Sequence, residues 1–110
     1  METNAKLLST LGMCRKAGKL VTGFDAVART IKSGKAGLLV LAGDLSPKSA
    51  KEITRVAETY HVKIARPGAA MDDIKRIVGK KAGILAITDE GLAKSVAASS
   101  NARQVEEESV

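Results

Sequence analysis

Two patterns of apolar residues alternate along the chain. In one, apolar residues recur every three or four positions, which is typical of a helix with one buried face. In the other, apolar residues follow one another without a break, which is typical of a strand covered on both faces. The first pattern predicts helices at residues 4–17, 24–33, 47–60, 71–78 and 90–98. The second predicts strands at residues 19–21, 38–42, 62–65 and 84–87.

The alternation of helices and strands predicts the fold class. Ser46 before Pro47 is a strong helix start, and Gly34 is a typical helix stop. Thr88 or Asp89 is expected to cap the last helix. Helices and strands that alternate through short connections predict an α/β fold, a helix–sheet–helix sandwich in which several strands run parallel. The strand at 38–42 is expected at its centre.

The length and composition limit the class of protein. The 110 residues suffice for one core, so residues 1–98 are predicted to form a single domain and the polar residues 99–110 a disordered tail. Cys14 is the only cysteine, which suits a reducing compartment. No apolar run approaches the roughly 20 residues that cross a bilayer. The first ten residues lack the basic and then apolar order of a signal peptide. We therefore expect a cytoplasmic protein with no membrane partner.

Charge adds a second feature, an excess of cations that is unevenly distributed. The net charge is +6, the first 35 residues carry seven Lys and Arg against two acidic residues, and the last ten carry one Arg against three Glu. A body this basic attracts polyanions, nucleic acid first among them. The alternative is a solvated surface that only keeps the protein soluble, and composition alone does not separate the two.

Catalytic and metal-binding patterns are weak. The segment from Gly12 to Leu20 faintly resembles a P-loop, but five residues separate its glycines and Leu20 stands where Ser or Thr binds magnesium. His61 is expected in a solvated turn and Cys14 in the core, while Asp72 and Asp73 suit a helix start. No metal-ligand spacing is present. We predict no catalytic residue, no metal and no cofactor, and hence no enzyme.

The basic residues gain meaning from the elements that carry them. Arg15, Lys16 and Lys19 fall at the end of the first helix and in the next turn. Gly23 opens the second helix, whose first N–H groups are unpaired and can hold a phosphate or a base-edge acceptor. A second basic segment, residues 79–83, is a glycine-bounded loop, for which a plain tight turn is the alternative.

Two side chains on this rim have competing interpretations. Phe24 lies on the apolar stripe of the second helix, so a core position is favoured over stacking on a base. Asp25 could serve as a helix cap, and Arg29 follows one turn later on the same face.

Two segments together resemble a known family. They read AGKLVTGFDAVARTIKSGKAGLLVLAGDLSP and, much later, VGKKAGILAIT. Their order is similar to that of the ribosomal protein seven-Ae and thirty-e family, most of all its small bacterial YlxQ-like members, over residues 4–98. The resemblance implies a three-layer α-β-α sandwich with a mixed, partly parallel four-stranded sheet. It also implies binding to ribosomal RNA or to kink-turns, which are sharply bent RNA helices.

The family's RNA motif, Gly-x-Asn-Glu-x-x-Lys, corresponds to residues 23–29. Gly23 matches and Arg29 keeps the cation. Asp25 replaces an amide by a group that only accepts hydrogen bonds, and Ala26 removes a carboxylate that would accept from guanine. The family's second contact loop corresponds to Lys80, Lys81, Ala82, Gly83 and Ile84, and Ile84 is expected to lie against an extruded base.

The first hypothesis is therefore a non-catalytic, ribosome-associated protein that binds ribosomal or kink-turn-like RNA. An alternative is a protein-interaction module whose basic face binds an acidic partner. In the first hypothesis the backbone of residues 23–26 contacts base edges. The expected phosphate contacts are Arg15, Lys16, Lys19, Arg29, Lys32, Lys80 and Lys81.

Overall fold

A computed structural model describes residues 2–99 and 105–106 of the chain. The helices are α1 Glu2–Lys16, α2 Phe24–Lys32, α3 Pro47–Thr59, α4 Met71–Val78 and α5 Glu90–Ser99. The strands are β1 Leu20–Thr22, β2 Leu38–Leu41, β3 Ile64–Ala65, β4 Ile84–Ile87 and β5 Val105–Glu106. The predicted helices and strands are all present, with ends that differ by a few residues.

The five strands form one mixed sheet in the order β1-β4-β2-β3-β5. β2 is the middle strand and runs parallel to β3, whereas β4 runs antiparallel to both β1 and β2. The predicted mixed sheet with a central strand at 38–42 is thus confirmed, and β5 adds a fifth strand, antiparallel to β3.

Each face of the sheet carries its own apolar core. Along β2, Leu38 and Val40 pack toward α1, α4 and α5, while Leu39 and Leu41 pack toward α2 and α3. Both faces of this strand are buried, which explains its continuous apolar sequence. Burying each such side chain stabilises the fold by about 1.5–3 kcal/mol. The predicted three-layer α-β-α sandwich is confirmed.

The structure describes three residues of the predicted tail, and the disorder of residues 99–110 stays a prediction. Ser99 is the last residue of α5, and Val105–Glu106 forms β5, paired with Ile64 and Ala65 of β3. An edge strand offers unpaired N–H and C=O groups that accept any extended segment, whatever its side chains. Polar composition therefore does not predict the pairing of β5 with β3. The other residues of the predicted tail lie outside the described residues.

Several local predictions can be checked in the fold. Ser46 accepts a hydrogen bond from the Ser49 N–H at 3.3 Å, and Pro47 opens α3 as predicted. Cys14 lies in the core, and His61 is exposed in a turn with φ 59°. No described helix has the length and apolar character required to span a membrane.

Candidate functional site

One edge of the sheet collects the ends of three strands and the beginning of a fourth. β1, β2 and β3 all end there, and β4 begins there, because β4 is antiparallel to β1 and β2 while β3 is parallel to β2. We call this the Gly23 edge, since Gly23 follows β1. The N–H of Gly23 donates to the carbonyl of Ile84 at 3.0 Å, and the N–H of Ala42 donates to the carbonyl of Gly83 at 2.9 Å. The start of α2 and the end of the 79–83 loop are therefore joined directly.

Gly23 has a backbone conformation that favours glycine. Its φ is 96° and its ψ is 148°, a combination that residues with a Cβ rarely adopt. A Cβ built on Gly23 would meet nothing within 4 Å, so space does not require the glycine. The backbone conformation alone explains why glycine stands before α2.

The first N–H groups of α2 have no hydrogen-bond acceptor among the described residues. Gly23 is the N-cap residue and offers no side chain, and its carbonyl accepts from the Val27 N–H at 2.9 Å. Within residues 2–99 and 105–106, no acceptor binds the N–H groups of Phe24, Asp25 or Ala26. Asp25 is not the helix cap: it occupies the second helical position, and its carboxylate accepts no hydrogen bond from the described backbone. The helix start can therefore receive an external acceptor.

The side chains beside this helix start divide into two groups. Phe24 is half-buried and packs against the core on the α2 and α3 side, as the favoured interpretation predicted. Ala26 is also half-buried. Asp25 and Arg29 are exposed, and the structure shows no ion pair between them. Arg29 therefore keeps its charge free for a ligand.

The 79–83 loop carries exposed cations, and its last two residues are buried where the chain enters β4. Lys80 and Lys81 are exposed, and Lys81 Nζ lies 3.8 Å from Asp72 Oδ1. Ala82 is 8% exposed. A Cβ on Gly83 would lie only 2.8 Å from Leu45 Cδ1, so no larger residue fits there without a shift. The loop thus presents its two lysines and buries its other end.

Ile84 corrects one expectation. Its side chain is 5% exposed and belongs to the core between the sheet and α2 and α3. The side chain is therefore not available to lie against an extruded base. Ile84 contributes to the Gly23 edge through its carbonyl, which holds Gly23 in place.

Arg15 joins the loop, although it is distant from it in sequence. Its guanidinium lies over Gly79, with Nη2 3.3 Å from the position of a Cβ on that residue. Lys16 follows Arg15 on α1 and is exposed. Gly79 itself has φ 94° and ends α4 in the left-handed conformation. The structure thereby brings a third cation to the loop that carries Lys80 and Lys81.

Two other predicted cations lie apart from this group. The carbonyl of Lys19 accepts from the Thr88 N–H at 3.0 Å, which places Lys19 at the opposite edge of the sheet. Lys32 occupies the last turn of α2, about 12 Å along the helix from Phe24. The start of α2 and the 79–83 loop therefore lie at the Gly23 edge, whereas Lys19 and Lys32 lie away from it.

The amino-acid sequence matches a known protein family. The sequence model of the ribosomal protein L7Ae/L30e/S12e/Gadd45 family matches residues 5–97, nearly all of the described chain. The chain belongs to this family. The resemblance seen in the sequence, including its bacterial YlxQ-like character, is confirmed.

Relatives of known name match most of the chain. It is 32% identical to the RNA-binding protein YlxQ of Bacillus subtilis (strain 168) over 87 residues, which is 78% of this chain and 86% of that protein. It is 28% identical to the RNA-binding protein YlxQ of Enterococcus faecium over 89 residues, 81% of this chain and 85% of that protein. The large ribosomal subunit protein eL30B of Schizosaccharomyces pombe (strain 972 / ATCC 24843) is 29% identical over 85 residues, 76% of this chain and 73% of that protein.

Solved structures share the fold of the family. A protein of unknown function from Bacillus halodurans C superposes with a TM-score of 0.84 and 24% identity, over 88% of this chain and 98% of that one. The Giardia lamblia 15.5kD RNA binding protein superposes with a TM-score of 0.77 and 17% identity, over 93% of this chain and 88% of that one. At these identities the likeness concerns the fold alone.

Asp44 lies at the Gly23 edge and was not predicted from the sequence. Asp44 Oδ1 accepts a hydrogen bond from the Met71 N–H at 2.9 Å. A carboxylate from the loop after β2 therefore caps the start of α4. The signal available in the sequence was an acidic residue directly after a buried strand. Only the fold shows that its partner lies 27 positions away.

The buried thiol lies outside this edge. Cys14 is 0% exposed, and burial, with a smaller contribution from Asp89, raises the pKa of its thiol to about 11. Such a thiol is protonated at neutral pH and is a poor nucleophile. In the part of the chain that the structure describes, no three His, Cys, Asp or Glu residues group as metal ligands do.

Proposed function

We propose that this protein is a non-catalytic RNA-binding protein that works on the ribosome or its RNA and binds structured RNA at the Gly23 edge. The observation that carries the proposal is the open start of α2, tied by the Gly23–Ile84 hydrogen bond to the loop of Lys80 and Lys81. Membership of the family and the chain's likeness to the RNA-binding protein YlxQ and the ribosomal protein eL30B support it.

The proposed contacts are of two kinds. The N–H groups of Phe24, Asp25 and Ala26 meet acceptors on a base edge or a phosphate, helped by the positive end of the helix dipole. Exposed cations hold further phosphates and provide affinity without reading sequence. These cations are Arg15, Lys16, Arg29, Lys80 and Lys81.

We extend the proposal to the kind of RNA. The resemblance places a carboxylate acceptor where this chain has Ala26, and that acceptor would receive the N–H groups of a guanine. Asp25 can only accept hydrogen bonds, so it replaces the missing pair in part. A bidentate base contact is worth roughly 1–3 kcal/mol of discrimination. The protein should therefore bind ribosomal or kink-turn-like RNA with only a weak preference for a standard kink-turn over a plain duplex.

A salt titration tests the proposal. The variant Lys80→Ala with Lys81→Ala should bind every structured RNA less tightly. Its plot of log affinity against log salt should be flatter by about 1.5, because each lost phosphate contact contributes about 0.7–0.9. The matched control is Lys35→Ala with Lys94→Ala, which removes two exposed cations away from the Gly23 edge. The control should keep the slope of the unaltered protein.

Two outcomes would contradict the proposal. An unchanged slope in the Lys80 and Lys81 variant would place the RNA elsewhere on the molecule. A protein that binds no structured RNA, and instead retains an acidic protein partner after nuclease treatment, would favour the protein-interaction module.

A further inference from the structure

A groove on the outer face of α3 lies outside the proposed site. It has a volume of about 480 Å³ and runs between α3 and the residue that follows β3. Its polar lining comes from Lys51, Thr54, Arg55, Glu58 and Arg66. None of these residues has a role at the start of α2 or in the 79–83 loop.

The three cations of the groove converge from two elements. Lys51 and Arg55 are four positions apart on α3 and therefore share one face. Arg66 follows β3, and its Nη2 donates to Thr54 Oγ1 at 3.2 Å, which holds the guanidinium against the helix. All three cations are exposed.

The charge of the groove is not neutralised within the protein. The ion pairs found among the described residues are Arg76 with Asp73 and Lys81 with Asp72, so Lys51, Arg55 and Arg66 form none with them. Glu58 lines the same groove and is likewise in neither ion pair. Three unpaired cations against one carboxylate leave the groove positive, as a phosphate-binding surface requires.

Thr54 supplies a separate observation. Thr10, Thr30 and Thr59 each donate the hydroxyl to the carbonyl four residues earlier on the same helix. Thr54 makes no such bond within the described residues, and its oxygen instead accepts from Arg66. Its hydroxyl hydrogen is therefore free to donate to an acceptor in the groove, beside two guanidinium groups.

One side of the groove, at Arg66, comes from the chain that leaves the Gly23 edge. Arg66 follows β3, which ends at this edge because it is parallel to β2. Gly43 packs against Gly68, and its N–H donates to the Ala69 carbonyl at 2.8 Å. The two surfaces are thus joined by backbone, and the three strand spacings from β1 to β3 amount to about 14 Å. A few nucleotides can cover that distance.

We infer that this groove binds the phosphate backbone of the same RNA, as a second contact next to the Gly23 edge. The inference rests on the proposed function. Arg55 and Arg66 present planar guanidinium groups that match phosphate oxygens, Lys51 adds a point charge, and Thr54 donates its hydroxyl.

A matched pair of triple variants tests the inference. Lys51→Gln, Arg55→Gln and Arg66→Gln together remove the cations of the groove. Lys35→Gln, Lys63→Gln and Lys94→Gln together remove the same charge from exposed positions outside the Gly23 edge. The probe is a ribosomal RNA fragment, titrated at several salt concentrations. The first variant should flatten the plot of log affinity against log salt by about 2, since each phosphate contributes about 0.7–0.9, and the second should leave it unchanged.

A single variant keeps the test independent of folding. Thr54→Val preserves every charge and nearly the same shape, but it removes both the hydroxyl donor and the acceptor that holds Arg66. It should weaken RNA binding severalfold, with a smaller change of the salt slope than in the triple variant. Its thermal unfolding should match that of the unaltered protein.

The remaining outcomes overturn the inference in distinguishable ways. If the unaltered protein binds RNA and the groove triple variant behaves like its control, the groove does not contact RNA and the proposed function stands. If the groove variant keeps RNA binding but loses an acidic protein partner, the groove is a protein contact. If the unaltered protein binds no RNA, the proposed function fails and the inference with it.

Discussion

The start of α2 and the starts of α3 and α4 lie at the same edge of the sheet but are completed differently. Ser46 caps α3 with its side chain, and Asp44 accepts from the first N–H of α4. At the opposite edge, Asp89 accepts from the Leu92 N–H at 2.9 Å and caps α5. The N-caps of α2 and α4, Gly23 and Ala70, offer no capping side chain, but among these four helices only α2 has no side-chain acceptor for its first N–H groups within the described residues.

The comparison shows that α2 lacks the hydrogen bonds that side chains give the other three helix starts. Glycine at the N-cap costs a helix only about a few tenths of a kcal/mol relative to Ser, Thr, Asn or Asp, and the neighbouring helices show that capping residues fit at this edge. The positive φ of Gly23 accounts for the glycine, but the position of α2 in the fold does not account for its missing acceptors. Under the proposed function, RNA supplies to α2 the hydrogen bonds that Ser46 and Asp44 supply elsewhere.

The largest expected effect separates two glycines. Gly23→Ala should lower the free energy of unfolding by about 1–3 kcal/mol, because an alanine resists the positive φ of this position. Gly91→Ala, in the first turn of α5, should raise it by up to about 1 kcal/mol, because its φ is ordinary and alanine favours a helix. Urea unfolding measures both. A Gly23→Ala variant as stable as the unaltered protein would show that Gly23 is not required by its backbone conformation.

The second effect concerns recognition at the open helix start. Changing Asp25 to Asn and Ala26 to Glu together should increase the preference for a kink-turn over a duplex about tenfold, equivalent to about 1.4 kcal/mol. The added carboxylate and amide supply the acceptor and donor that the unaltered chain lacks. Competition titrations at one salt concentration give the ratio. A strong kink-turn preference in the unaltered protein would mean that Asp25 and the backbone suffice.

A smaller effect compares two aspartates at helix starts. Asp89→Ala removes a hydrogen-bonded cap and should destabilise the protein by about 1 kcal/mol. Asp25→Ala removes only a favourable charge near the helix dipole and should cost about 0.3–1 kcal/mol, at the lower end because the residue is exposed. Unfolding midpoints measured side by side decide the comparison. Equal losses would indicate that Asp25 also caps its helix.

The smallest effect is electrostatic and lies at the start of α5. The folded pKa of Cys14, about 11, exceeds its ordinary value of 9.0, so the stability that its neutral thiol provides is fully present below pH 9 and is lost as the pH rises to about 11. Asp89→Asn keeps a capping side chain and removes the charge. The pKa of Cys14 should then fall but stay above 9.0, because burial is the larger cause. A ¹³C NMR titration of Cys14 Cβ would follow it, and Asp25→Asn should leave it unchanged.

The sequence predicted what depends on local pattern and missed what depends on packing. The apolar periods located the helices and four of the strands, and Ser46 with Pro47 marked the start of α3. β5 was missed because it has only two residues, Val105 and Glu106, which are too few to show an apolar period. The burial of Ile84 agrees with the apolar pattern of the strand at 84–87, whereas the expected contact with a base came from the resemblance alone. The contact of Arg66 with Thr54 joins residues twelve positions apart and exists only in the folded chain.

The central claim is that RNA completes the open start of α2. Amide chemical shifts recorded while a structured RNA is added test it most directly. The N–H signals of Phe24, Asp25 and Ala26 should move strongly, because they gain acceptors, while that of Leu92 should stay in place, because Asp89 already binds it. RNA binding that leaves the three α2 signals unmoved, or that shifts Leu92 as far, would contradict the claim.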